Sequence, residues 1–396
     1  MNKPICFAGA DIVTPFRVIP NGALVVEPPI LDQVGRRDAV HVPPSCETID
    51  LAGKTILPGY VDLHLHGMVG HSFDAARPEE FEAAASALLA HGTTSALITL
   101  VPAPPERFFK VLARVREYLD RPERSPVFCG IHLEGPFLNP EMHGALNPEG
   151  MWRVDPALAA LLFDSCGPWL KLMTVAPEMP GVMDIIRQAV RRGVVLSVGH
   201  SRATYQEVED AIDCGLAQVT HIFNAMPLAH HRDPGILGAA YTHQQLKVQL
   251  IADGVHVHPA IMSFLAKVKG AGSVLLVSDA MPACGLPDGD YESAGGAVHL
   301  RNGVASRDDG TLAGSAVPLD GAVRNMVRLC GVPIGDAARM AGLNPARVLN
   351  LDGRKGILAA GFDADFVVLG PDLVPEMTVL GGEVVPPPCG PGTGRK

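Results

Sequence analysis

The sequence has no Cys-x-x-Cys pair, no long apolar run, no long basic run and few aromatic residues. Its eight cysteines, Cys6, Cys46, Cys129, Cys166, Cys214, Cys284, Cys330 and Cys389, are scattered along 396 residues. That spacing suits free thiols in a reducing compartment better than a disulfide framework or a cysteine-based zinc site. No stretch approaches the ~18 apolar residues of a membrane-spanning helix. The first residues, with one Lys, a short apolar run and then Asp11, make a poor signal peptide, so a cytoplasmic location is expected. The net charge of −10 argues against nucleic acid or an anionic membrane as main partner. A small anionic substrate stays open, since a local Arg/His cluster suffices for one. Aromatics are 5% and apolar residues 47%, so aliphatics and Ala are expected to fill the interior, as in parallel α/β proteins. The length suits one large α/β domain plus a smaller one.

What is present begins with short β segments. Residues 5–8, 22–26 and 40–42 lie between turn residues, and nothing before about residue 55 has helical period. Residues 365–369, 377–380 and 381–385 supply a matching set at the other end. A few short strands cannot stand alone, so both termini are expected to meet in one β-sandwich. The Pro/Gly-rich residues 386–396 read as a disordered tail. Between the termini, strand and helix alternate. Strands are expected around Val61, Leu97, Gly130, Leu172, Leu196, Val219, Leu250 and Leu276. Helices are expected over 78–91, 105–119, 156–166, 183–192, 204–214 and 259–269. Asp155-Pro156 reads as an N-cap with Pro at the first helical position, and Thr204 with Glu207 as a capping box. Gly92, Gly193, Gly215 and Gly270 sit where helices should stop. Eight β/α units predict a (β/α)₈ barrel over 57–350, flanked by sandwich parts at 1–56 and 351–385. A doubly wound open sheet is the competing architecture; no glycine-rich dinucleotide fingerprint follows the first strand.

The chemistry gathers at the strand ends. The first barrel strand ends in His64-Leu65-His66. His256-Val257-His258 is a second such triplet, so the pattern alone is not diagnostic, and a lone strand-end His is often a hydrogen-bonded core residue. Further strands end in Glu134, His200, His221 and Asp279, and the seventh leads into Asp253 and His256. Packing does not explain so many ionisable groups at one end, because burying them unpaired is costly. A divalent metal resolves that cost. Glu134, His200 and His221 would be three protein ligands, leaving a position open for water, which is the form of a catalytic site. Asp279 is the natural general base. His64 and His66 would support a second metal or orient the first.

The chain resembles the amidohydrolase superfamily and, within it, the N-acetylglucosamine-6-phosphate deacetylase family. The resemblance runs from about Pro58 to about Leu369. Its carriers are Pro58-Gly59-Tyr60-Val61-Asp62, His132-Leu133-Glu134-Gly135-Pro136-Phe137, Gly199-His200-Ser201, residues 220–226, Ala252-Asp253-Gly254-Val255-His256, Ser278-Asp279-Ala280, residues 310–315 and residues 361–365. It implies hydrolysis of the acetamide of an N-acetyl amino-sugar phosphate in amino-sugar catabolism, with one or two divalent metals, Zn or Fe, per subunit. The family's metal ligands fall on Glu134, His200 and His221, and its catalytic aspartate on Asp279. His256 matches a residue that binds the sugar and helps polarise the amide carbonyl. Asn224 and Ala225 lie where backbone groups meet the phosphate. Ala145 and Leu312 are also expected to bind substrate. Arg232 matches a phosphate-binding arginine that reaches across a homodimer interface; a solvated loop charge is the alternative.

Two features refine this. Many amidohydrolases bridge two metals with a carboxylated Lys at the end of the fourth strand; here Lys171 lies at its start. That disfavours dihydroorotase- and hydantoinase-like chemistry. The family also usually carries Gly-Ala-His in the loop after Glu134, and this chain has Gly144-Ala145-Leu146. Leu cannot hydrogen-bond a hydroxyl, so an N-acetylgalactosamine 6-phosphate or another N-acyl or cyclic amide substrate remains an alternative. His143, nearby in that loop, could stand in or could be a surface residue. A barrel that has lost catalysis would be expected to have lost ligands, and none is missing.

Overall fold

The computed structural model describes residues 3–293 and 296–385. The expected tail at 386–396 and Cys389 lie outside them. The seven described cysteines are all free. No described helix is long and apolar enough to cross a membrane.

Eight parallel strands form the central sheet: Tyr60–Asp62, Thr93–Leu100, Phe128–Glu134, Leu170–Val175, Val195–Val198, Leu216–Val219, Lys247–Ile251 and Val274–Val277. Each neighbours the next in sequence, which is barrel order and excludes the doubly wound alternative. The seam between first and last strands is stitched by polar groups. Asp62 Oδ1 accepts from the amides of His64 and Ser278, each at 3.2 Å. Beyond it the Asp279 amide donates to His64 O at 2.9 Å, and Leu65 pairs with Ala280.

Helices occupy the expected stretches because their apolar residues recur on one face. Pro78–Ala90 buries Phe81, Ala84, Ala85, Leu88 and Leu89. Asp155 caps Pro156–Cys166 by accepting from the Leu158 amide, and Thr204 and Glu207 cap Tyr205–Asp213 reciprocally. The barrel interior departs from the aliphatic filling expected from composition. Leu97 and Leu172 belong to an apolar layer with Val61, Leu275 and Val277. Two residues along the same strands, on the same face, the filling turns polar. His132 bridges Thr99 (3.2 Å) and Thr174 (2.9 Å), and Thr174 continues to Thr220 and Ser197. Fully hydrogen-bonded, this belt forms a floor beneath the strand-end side chains.

The termini build two further sheets. One holds Ile5–Ala8, Gly22–Glu27, Ile30–Arg36 and Glu47–Asp50; the other joins Asp11–Val13, Val18–Ile19 and Thr55–Pro58 to Phe366–Leu369, Pro375–Leu380 and Glu383–Val385. Thr55–Pro58 thus pairs with the C-terminal strand and runs two residues past the division expected at 56/57. Residues 40–42 do not form the expected strand; the chain there is turn and coil, and Ile30–Arg36 pairs with Gly22–Glu27 instead. Val40 packs on the buried Cys6–Val25 cluster as a loop side chain. Alternation along single strands fastens the terminal sheets to the barrel. Ile12, Ile56, Phe366 and Val368 enter the sandwich core, while Val13, Leu57, Val367 and Leu369 enter the main core. Phe366 is fully buried with its ring edge-on to Phe7 at 5.0 Å. Phe366→Ala is therefore expected to cost about 3–5 kcal/mol, read as a lowered denaturation midpoint. A loss under about 0.5 kcal/mol would contradict this packing.

Candidate metal centre

The strand-end residues converge. Glu134 ends its strand, and His200 and His221 follow theirs by two residues. Nε2 of His200 and of His221 each lie 3.1 Å from Glu134 Oε1 and 3.1 Å from each other. His200 Nδ1 lies 2.9 Å from the Met142 carbonyl, an arrangement that makes Nδ1 the donor and turns the Nε2 lone pair inward. Lone pairs and a carboxylate oxygen that face one another this closely fit a common cation. A second group adjoins the first: His66 Nε2 is 3.2 Å from His64 Nε2 and 3.1 Å from Asp279 Oδ1. Glu134 touches both groups, at 3.4 Å from His64 and 3.5 Å from His66. Each triad holds its ligand atoms within 4.8 Å of one another. Gln249 Oε1 orients His64 from behind, at 3.2 Å from Nδ1.

Electrostatics agree. Burial alone would raise the Glu134 carboxyl, but His64 and the bonds from His200 and His221 hold it well below the usual range. Burial likewise opposes ionisation of Asp279, and His64 and His66 draw it down to about 2. Burial opposes protonation of His64, yet Glu134 and Asp279 carry it up to about 9. Two buried carboxylates demand compensating positive charge, from imidazolium or from a metal ion.

The backbone turns these side chains inward at a cost. His200 (φ +47°), His221 (φ +26°) and Asp279 (φ +49°) all sit in the left-handed region, as do Phe223 and Ala225. Non-glycine residues adopt it rarely, and such strain clusters where side-chain direction matters.

The triads open into a cavity of about 330 Å³ lined by His66, Glu134, His200, His221 and Asp279. Of the expected substrate residues, Ala145, Asn224, Ala225, His256 and Leu312 also line it. Asn224 is anchored by its side-chain amide on the carbonyls of His221 (3.1 Å) and Ile222 (3.3 Å). Arg232 does not line it: the residue is exposed, and its guanidinium lies 2.8 Å from His231 Nε2. Leu146 forms part of the wall, whereas His143 is exposed and outside it.

Asp253, expected at the end of the seventh strand, is given no role of its own by the sequence. Asp253 Oδ2 holds His256 Nδ1 at 2.7 Å and takes the Ser315 hydroxyl at 3.0 Å. Burial opposes protonation of His256, and Asp253 raises it nonetheless. The i, i+3 spacing of Asp253 and His256 could have shown the pair. Asp74 and Arg307 also line the cavity. Asp74 lies beyond the His64-Leu65-His66 strand end, and Arg307 lies 28 residues past Asp279, so strand-end logic reaches neither.

A parallel eight-stranded barrel with clustered His and carboxylate groups at its strand ends defines a metal-dependent hydrolase of the barrel type. The chain belongs to the amidohydrolase family, which it matches over residues 55–385. It is 34% identical over 389 residues to an N-acetylglucosamine-6-phosphate deacetylase of Bacillus subtilis, covering 97% of this chain and 98% of the relative. It is 35% identical to an N-acetylgalactosamine-6-phosphate deacetylase of Escherichia coli O157:H7, covering 92% and 93%. A solved mutant of the Mycobacterium smegmatis N-acetyl-D-glucosamine-6-phosphate deacetylase, in complex with N-acetyl-D-glucosamine-6-phosphate, superposes with a TM-score of 0.90 at 34% identity, covering 97% and 100%.

Proposed function

We propose that the protein hydrolyses the acetamide of N-acetylglucosamine 6-phosphate to acetate and glucosamine 6-phosphate, in the cytoplasm, as a step of amino-sugar catabolism. The observation that carries this reading is the convergence of Glu134, His200, His221 and Asp279 in one cavity, within a chain so similar to such deacetylases over nearly its whole length. The catalytic unit begins after the strand Thr55–Pro58 and runs to about residue 350, with the terminal segments on either side as the sandwich.

Glu134, His200 and His221 would hold a divalent cation, Zn or Fe, which would supply Lewis acidity to the amide carbonyl and lower the pKa of water. His64 and His66, with Asp279, offer a second position. Asp279 takes the proton of the attacking water and returns it to the departing amine nitrogen. Asp253 fixes His256 Nδ1 as a donor and favours the imidazolium, so Nε2 also carries a proton and donates it to the amide oxygen or a sugar hydroxyl. Asn224 and Ala225 seat the phosphate, and Ala145 and Leu312 border the sugar. The protein works as a homodimer in which Arg232 reaches the neighbouring cavity, its planar fork matching phosphate oxygens.

Acetate release from N-acetylglucosamine 6-phosphate by the metal-loaded protein tests the reading; no turnover would end it. The galactosamine epimer is a second reading, favoured by Leu146 in the cavity wall, and a higher kcat/KM on that epimer would select it. Arg232→Ala is expected to raise KM about tenfold or more for the phosphorylated sugar. An equal rise for the unphosphorylated sugar would remove Arg232 from the phosphate.

A further inference from the structure

The cavity is lined by acidic groups, Asp74, Glu134 and Asp279, and by imidazoles. For an anionic substrate that is an adverse field unless cations offset it. Among the described lining residues one Lys or Arg is present, and it is Arg307. Arg307 directly follows an antiparallel insertion of three strands, Gly289–Ser293, Gly296–Arg301 and Val304–Ser306. The insertion packs through Val298, Leu300 and Ala305 on Met281, with Ala145 against the same cluster.

Arg307 is half-buried, and its Nη2 donates to the carbonyl of Ala145. The neighbouring Gly144 closes the link to the site: a Cβ there would lie 3.5 Å from Ala225 Cβ and 3.5 Å from His200 Cε1. The 144–146 loop therefore runs from Arg307 to the turn expected to seat the phosphate. It also carries Leu146, where a histidine would otherwise offer a polar contact.

We propose that Arg307 is an in-chain specificity residue that reads the phosphate of the substrate, complementing Arg232 from the partner. The inference rests on the proposed phosphosugar reading. A guanidinium has five N–H donors in one plane, so its bond to Ala145 sets the plane in which the fork meets an anion. Arg307 is thus a binding residue with no part in proton transfer.

Two measurements on the metal-loaded protein test this. The first is calorimetric titration with inorganic phosphate. Arg307→Gln is expected to weaken phosphate binding about tenfold, and Arg307→Lys, which keeps the charge, to weaken it less. The second is turnover. Arg307→Gln is expected to raise KM for N-acetylglucosamine 6-phosphate about tenfold, with a much smaller change in kcat and in KM for N-acetylglucosamine. Wild-type phosphate affinity in Arg307→Gln would overturn the proposal. So would a KM rise shared by both sugars, which would assign Arg307 to holding the Ala145 loop alone. Phosphate binding that depends on Arg307 without acetate release from the wild type would instead overturn the deacetylase reading and leave the anion site standing.

Discussion

Asp279→Asn is expected to lower kcat by about 10²–10⁴-fold while the fold and the cation held by Glu134, His200 and His221 remain. The substitution keeps shape and removes the proton acceptor. It is also matched to the backbone: Asp279 has a φ of +49°, and Asn is among the few residues that enter the left-handed region readily. The bonds that fix this position are main-chain bonds, from the Asp279 amide to His64 O at 2.9 Å and from the Ser315 amide to Asp279 O at 2.8 Å. They survive the change. Steady-state kinetics, metal content and a thermal midpoint on one preparation check it. Turnover within about tenfold of the wild type would take the general-base role from Asp279. Loss of turnover together with loss of the Glu134-held cation would make it a ligand of that cation first.

The barrel was legible because its signals are local and redundant. All eight strand centres, from Val61 to Leu276, fall within strands of the sheet. The helix 156–166 starts at its Asp155 cap, and 259–269 stops at Gly270, as expected. The candidate site was legible for a related reason: a parallel strand hands its last side chain to one face of the barrel, so reading strand ends amounts to reading the site. Elements without such order were lost. The strand Ile30–Arg36 is an edge strand with mixed burial, and its run has no clean alternation. Residues 40–42 have the β-branched composition of a strand but no partner to pair with. The three inserted strands, Gly289–Ser293, Gly296–Arg301 and Val304–Ser306, are half-exposed, charged and glycine-containing, and they interrupt the β/α alternation after the last barrel strand. Arg307 went unseen with them, since nothing local distinguishes a cavity arginine from a solvated one. The polar floor around His132 was hidden likewise, because Thr99 and Thr174 look like ordinary strand residues until the barrel closes.

Glu134→Gln should fail in the opposite way to Asp279→Asn, by losing the metal. Glu134 Oε1 lies 3.1 Å from both His200 and His221, and the same side chain contacts His64 and His66. It is the one carboxylate that touches both triads. An amide oxygen of equal size carries no charge and is a poorer partner for a divalent cation. With Gln at 134, the His200–His221 side keeps no carboxylate, and Asp279 remains in contact with His64 and His66 alone, so a dication loses much of the negative charge that holds it. Metal content after dialysis is expected to fall by about tenfold or more, and turnover by about 10³-fold or more, since Lewis acidity and water activation leave together. Excess divalent metal in the assay should restore part of the activity of Glu134→Gln and none of that of Asp279→Asn, because mass action refills a weakened site but cannot supply a missing base. If Glu134→Gln keeps its metal through dialysis, the imidazoles alone suffice to hold it and the place of Glu134 in the first triad must be given up.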